Sequence, residues 1–158
     1  MVTALALASI AGIVGAGGPA AAATTVTAAK PLFEVYGKTY LGEVCKTQTV
    51  DKLKGVSATG PFTLRMNLTG SVSATWSAKT GVGAGAISAE MGFDVTKSYS
   101  ISIVGSYAVP SGKRGHLEAY PCFARYSFKT RLITGGASSK GFAEKPVGVH
   151  FKKWLTKK

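Results

Sequence analysis

The chain has 158 residues, with 19 Lys and Arg against 7 Asp and Glu, a formal net charge of +12 and two cysteines. That length suits one domain, and the distance between Cys45 and Cys122 excludes the CxxC spacing of a metal or redox centre. So basic a chain is drawn to anionic partners such as lipid headgroups, wall polymers or nucleic acid.

Residues 2–14, VTALALASIAGIV, form an apolar run too short to span a bilayer comfortably as a helix. Gly17-Gly18-Pro19 follows, and Ala21-Ala22-Ala23 offers the small-residue pattern that signal peptidase reads. The expectation is a signal peptide over residues 1–23, then a single antiparallel β domain over residues 24–158. The basic n-region of such a signal is missing, since no Lys or Arg precedes Lys30. Export makes a Cys45–Cys122 disulfide the natural pairing. By loop entropy it would stabilise the fold by about 4–5 kcal/mol.

Residues 24–30 read as a small-residue leader. Phe33 and Val35, then Tyr40 and Leu41, flank Gly37-Lys38 and predict a short hairpin. Residues 44–50 are β-prone, and residues 51–60 read as a polar connection closed by Gly60-Pro61. From Phe62 to Ala78 the even positions are apolar or small and the odd positions are Thr, Ser, Arg or Asn. At about 3.3 Å per residue this run would reach roughly 55 Å, so a bend such as one at Gly70 is expected. Over residues 87–109 the apolar face moves to odd numbers: Ile87, Ala89, Met91, Phe93, Val95, then Tyr99, Ile101, Ile103, Tyr107 and Val109. Residues facing each other across such an antiparallel hairpin have numbers that sum to an odd value. The parity flip therefore predicts one long hairpin with its tip in the Gly-rich residues 79–86.

Pro110-Ser111-Gly112 is a turn. A strand from His116 carries Leu117, Ala119, Pro121 and Phe123, but Tyr126 and Phe128 take the other parity, which predicts a bulge between residues 121 and 125. A Gly/Ser loop over residues 135–141 leads to a last short strand at Val147, Val149 and Phe151, and then to a basic tail. No helical period stands out beyond residue 24. The fold class expected is all-β: an elongated antiparallel sheet or sandwich with one long Ser/Thr-rich hairpin.

Two histidines and seven carboxylates fall into no triad or metal-ligand pattern, so no catalytic, cofactor or metal residues are assigned. His116, Glu118 and Tyr120 share one strand face as the best polar cluster, read as a solvated face. Gly81-x-Gly83-x-Gly85 lacks the Lys-Ser/Thr pair of a phosphate loop, and Asn67-Leu68-Thr69 fits a glycosylation sequon by chance. Lys113, Arg114, Arg125, Lys129 and Arg131, with Tyr120, Phe123 and Tyr126, could line an aromatic-basic groove. In an exported protein a general anionic surface is the better reading, and no nucleic acid is expected.

Residues 72–128 resemble a group of small exported bacterial β-proteins. The resemblance rests on the Ser/Thr alternation, on Ile87-Ser-Ala-Glu-Met-Gly-Phe-Asp-Val-Thr, and on Tyr107-x-Val-Pro-x-Gly-Lys-x-Gly-His-Leu-Glu-Ala-Tyr. More remotely, the segment is similar to the insertion domain of aerolysin-like and epsilon-toxin-like pore formers. That resemblance implies a membrane-interacting module whose hairpins pair into a closed barrel, as lipid requires. Val82, Ala84, Ala86 and Ile87 would form the inserting tip, with the Ser/Thr face toward the lumen. Lys152, Lys153, Trp154, Lys157 and Lys158 would bind an anionic surface. The expected partners are an anionic membrane or a cell-wall polymer, with self-association into a homo-oligomer. The alternative is a secreted β-sandwich that binds or builds the cell surface or wall without inserting.

Overall fold

The computed structural model describes residues 32–79 and 81–158; the expected signal peptide and leader lie outside them. The elements are β1 (Phe33–Cys45), β2 (Lys54–Thr59), β3 (Phe62–Ser73), β4 (Thr75–Ser77), α1 (Ala84–Met91), β5 (Ser98–Val109), β6 (Lys113–Leu132) and β7 (Ser139–Lys157). The fold is all-β, with antiparallel pairing between its strands and, among the described residues, one short α-helix.

Everything hangs on β6, a 20-residue strand. One of its edges pairs with β7 along nearly its whole length. The other pairs first with β2, at Arg114–Ala119, and then with β1, at Cys122–Leu132. β4 extends the far edge of β7, while β3 and β5 form a separate two-stranded ribbon.

Two buried clusters share the sheet. Leu64, Met66 and Val109 of the ribbon pack on Leu117 and Ala119 of β6, with Phe151 and Val149 beside them. At the other end Ile87 and Met91 of α1, with Val82 and Val95, pack on Phe128 and Ala143. In β6 the first cluster uses odd positions and the second uses Phe128 and Tyr126, which are even. No residue is inserted in β6 between them: the register shift at Cys122/Phe123 skips Val147, so the extra residue lies in β7. Alternation then puts the clusters on opposite faces. The change of parity expected from a bulge in β6 is a change of covered face, with the ribbon over one face at one end and the helix over the other face at the other.

Several expectations are corrected. Gly37-Lys38 is no turn: both sides of it pair with β6, and the chain passes through bulges at residues 37–38 and 41. Gly37 and Gly42 take up the left-handed φ of +69° and +103°. The strand expected over residues 44–50 ends at Cys45 and gives way to a 3-10 turn at Thr49–Asp51. The polar connection of residues 51–60 contains β2, whose Val56 and Ala58 pack toward the ribbon. The long run over residues 62–78 divides at Ala74, not Gly70. The last strand is not short: β7 absorbs most of the basic tail.

The largest correction is the hairpin tip. β3 and β5 do pair as an antiparallel hairpin, from Phe62↔Val109 to Ser73↔Ser98, and every pair sums to an odd number as the parity flip demands. Residues 87–95 are not its second arm. They lie largely in α1 and the turns after it, and residues 74–97 form the whole connection. Ile87, Met91 and Val95 are four apart, a spacing that fits a helix face as well as an alternating strand. Ala84, Ala86 and Ala89 supply helix propensity between them. Gly92 closes the helix at φ +71°, its N–H donating to the Ser88 carbonyl. Lys38 then pins the helix: its backbone N–H donates to Glu90 at 3.2 Å, and its ammonium donates to the Met91 carbonyl at 2.5 Å. A cation at a helix C-terminus is favourable there.

Candidate functional site: the open face of β2, β6 and β7

Residues opposite each other in the ladder share a face. On the face of the sheet away from the ribbon, the register lines up four rows. Thr59, Arg114 and Thr156 form the first, and Ser57, His116 and Trp154 the second. Gly55, Glu118 and Lys152 form the third; Tyr120 and His150 begin the fourth. α1 covers this face only at the far end, on Phe128 and Ala143. Of these residues, Arg114, Ser57, Gly55, Lys152, His150 and Thr156 are exposed, while His116, Glu118 and Trp154 are half-buried.

The polar groups here are mutually held. His116 and Trp154 stack with centroids 4.8 Å apart and planes 6° apart, and Lys152 lies 5.6 Å over the indole. The imidazole Nε2 is 3.1 Å from the Thr156 hydroxyl. Tyr120 donates its hydroxyl to Glu118 at 2.5 Å, and the Lys52 ammonium meets the other Glu118 oxygen at 2.9 Å. The Tyr120 bond first, and then the Lys52 bond, hold the Glu118 carboxyl below the usual glutamate range. The same bond pushes the Tyr120 phenol up. Arg114 donates to the Ser57 hydroxyl at 3.0 Å. Because Gly55 has no side chain, the sheet dips there into a cleft of about 230 Å³ walled by Lys52, Val56, Ser57, His116 and Glu118. The set puts the Thr156 hydroxyl 3.1 Å from the His116 imidazole, but that ring is stacked on Trp154 rather than oriented by a carboxylate as in acyl transfer. The set can bind, through three cations, one oriented carboxylate and a pair of stacked rings.

The cluster His116, Glu118 and Tyr120 expected from the sequence is thus one strip of a wider face. Lys52, Gly55 and Ser57 were not foreseen, because β2 read as a connection. The alternation of Gly55 and Ser57 with Val56 and Ala58 was the signal available. Of the five residues expected to bind an anionic surface, the structure separates the set. Lys152 and Trp154 join the open face, whereas Lys153 turns to the ribbon side, 6.0 Å over Tyr107. Lys157 ends β7, and Lys158 follows it.

The residues expected at an inserting tip are not at one. Val82 and Ile87 are buried in the core beneath α1, and Ala84 and Ala86 are half-buried in the helix. Nor do the basic and aromatic residues at 113–131 form a groove. Arg131 is paired with Glu34 at 2.6 Å and Arg125 with Glu144, while Arg114 lies on the open face. Cys45 and Cys122 are joined in a disulfide as expected. Glu43 lies near them, but sulfurs bonded to each other are not thiolates and offer a metal no ligand pair.

Glu144 was missed altogether. It is 1% exposed, yet it accepts from Arg125 Nε and Nη2 at 2.8 and 2.6 Å, from Lys46 at 2.8 Å and from Thr75 at 2.8 Å. Burial pushes its carboxyl up, but the bonds from Lys46, Thr75 and Arg125 outweigh burial and hold it below the ordinary value. The cluster fastens β4, at Thr75, to β7. A cavity of about 880 Å³ lies between α1 and the ends of β1 and β6. Its lining is mostly apolar, with Phe33, Val35, Leu132 and Ile133 beside the paired Glu34 and Arg131.

Among known proteins, no family model matches the chain, and no curated protein matches it in sequence.

Proposed function

We propose that this chain is an exported, basic binding module that docks on an anionic surface through the open face of β2, β6 and β7, without catalysis. One observation carries the reading. The uncovered end of the sheet collects Lys52, Arg114 and Lys152 around a single carboxylate and a Trp154–His116 stack. Aromatic and cationic side chains left half-covered on a regular sheet suit contact with a charged polymer or headgroup layer. The Cys45–Cys122 bridge supports an oxidising compartment.

Binding of the protein to anionic and neutral vesicles, and to immobilised acidic polymers, over a range of salt tests the reading. Affinity should fall as ionic strength rises. Equal affinity for neutral and anionic surfaces would refute it.

A second reading, insertion into membranes in the aerolysin-like manner, has its own support. β3 and β5 are 12-residue arms, beyond the 9–11 residues that a membrane strand needs. Among the described residues they pair only with each other. Their inner face carries Leu64, Met66, Leu68, Ile101 and Ile103, and their outer face carries Ser and Thr. Insertion would require this ribbon to leave the sheet and then pair with ribbons of other copies. Release of dye from anionic vesicles tests it. Ile103→Lys should abolish release, since a Lys on the lipid face near the bilayer centre costs about 2–4 kcal/mol per strand.

A further inference from the structure

The open face is more selective than a positive patch has to be. Glu118 stands in the middle of it, between Gly55 of β2 and Lys152 of β7. A surface meant only to attract negative charge gains nothing from an acceptor-only group at its centre. Glu118 is also fixed in place, by Tyr120 on one oxygen and Lys52 on the other.

We infer that the cleft above Gly55 takes one sugar unit of an acidic polysaccharide, one carrying a carboxylate on each ring, as uronic acids do. This rests on the binding-module reading and names the ligand of that face. A uronic acid brings hydroxyl donors, one negative charge per ring, and a ring face. The site offers one partner for each. Glu118 accepts from hydroxyls, using the lone pairs that its two donors leave free. Lys52 lines the cleft, held by Glu118, and Arg114 lies beside it, donating to Ser57 of the cleft wall. Guanidinium and ammonium groups are the natural partners of a carboxylate. The His116 ring has one face against the Trp154 indole and so keeps the other for the cleft it lines. Trp154 acts as a positioning residue that holds the imidazole upright.

Denser polyanions fit less well. Single-stranded nucleic acid or a phospholipid layer would bring a phosphate against the Glu118 carboxylate, and like charges repel there. A ring with hydroxyls between its charges avoids that clash.

Two substitutions test the cleft. A Cβ at Gly55 meets its nearest neighbours at 3.5 Å or more, ordinary contact, and its φ is not in the left-handed region. Gly55→Val therefore fills the cleft without altering the charge of +12. Binding of oligogalacturonate, of poly(glycerol phosphate) and of neutral dextran oligomers is measured by calorimetry, alongside binding to anionic vesicles. Wild type should prefer oligogalacturonate, and Gly55→Val should lose about tenfold or more of that affinity, a factor worth 1.4 kcal/mol. Its circular dichroism spectrum checks that it folds as wild type does.

Glu118→Gln gives an opposite sign for the two explanations. Plain charge attraction predicts tighter binding of oligogalacturonate once a negative charge is removed. Recognition of hydroxyls predicts weaker binding. Tighter binding by Glu118→Gln, unchanged binding by Gly55→Val, or a wild-type preference for the phosphate polymer would each overturn the inference and leave the module reading intact. Wild type that binds neither vesicles nor any acidic polymer would overturn both. Glu118→Gln keeps the volume of the side chain, so the question is answered even if Gly55→Val does not fold.

Discussion

Cys45 and Cys122 are direct register partners on β1 and β6, with their Cα atoms 3.9 Å apart and their sulfurs bonded. The bridge closes a loop with a sequence separation of 77, and that loop contains β2, the ribbon and α1. Replacing both cysteines with serine should cost about 4–5 kcal/mol by the loop-entropy model. Urea unfolding with and without reductant measures it, and coincident midpoints would contradict the estimate.

Glu144 should make the fold sensitive to acid. Its folded-state pKa is depressed, so the unfolded chain binds its proton more readily. Its contribution is complete above the ordinary value of 4.5 and is lost as pH falls below that, through the folded value. Glu144→Gln should therefore lower the urea midpoint at pH 7 and narrow the gap to wild type by pH 3. The cost at neutral pH should be about 1–3 kcal/mol, the scale of charge-assisted hydrogen bonds. It should not reach that of an orphaned buried charge, because Lys46 and Arg125 keep 29% and 39% of their side chains in water and can rehydrate. A constant gap between pH 7 and pH 3 would sink this assignment.

The helix is tested by a contrast on neighbouring positions. Ile87 is fully buried and Ala89 is exposed, although an alternating strand would put both on one face. Ile87→Ala should cost about 2–5 kcal/mol, whereas Ala89→Lys should fall within about 0.5 kcal/mol of wild type. Thermal or urea denaturation of the two variants decides it. A severe loss in Ala89→Lys would restore the strand.

Ala74 gives the complementary case. It is 8% exposed at the break between β3 and β4, and its N–H donates to the Lys97 carbonyl. Ala74→Lys should unfold or strongly destabilise the protein, since it forces a charge into packed surroundings. Ser73→Lys, one residue earlier, should be tolerated: Ser73 is exposed and only loses a 2.8 Å contact with Ser98. Circular dichroism separates the outcomes, and two equally stable variants would show that the face is misassigned.

The ribbon was legible because its alternation is complete on both arms and only a hairpin explains the change of parity. The helix was hidden by arithmetic: Ile87, Met91 and Val95 satisfy period 2 and period 3.6 alike, and Ala is neutral to the eye in an alternating run. β2 was hidden by its length and by Gly55. The face exchange in β6 could not be separated from a bulge, because both appear as a shift of parity; only the partners of Cys122 and Phe123 tell them apart. For the site, the strip His116, Glu118 and Tyr120 could be read from one strand. Its neighbours on β2 and β7 depend on register, and no local pattern carries that. Glu144 gave no sign at all, since its three partners come from three distant segments.

The order of pairing around β6 also constrains how the chain comes together. β1 and β2 are made early, but among the described residues the strand they pair with, β6, follows the ribbon in sequence. During synthesis they must wait with apolar side chains uncovered, while β3 and β5 can already close. Long-range pairing of this kind is slow and exposed to misassembly. The β6 segment is thus the keystone in time as well as in space: until it emerges, neither core has a floor, and once it does, both sides of the sheet can close upon it.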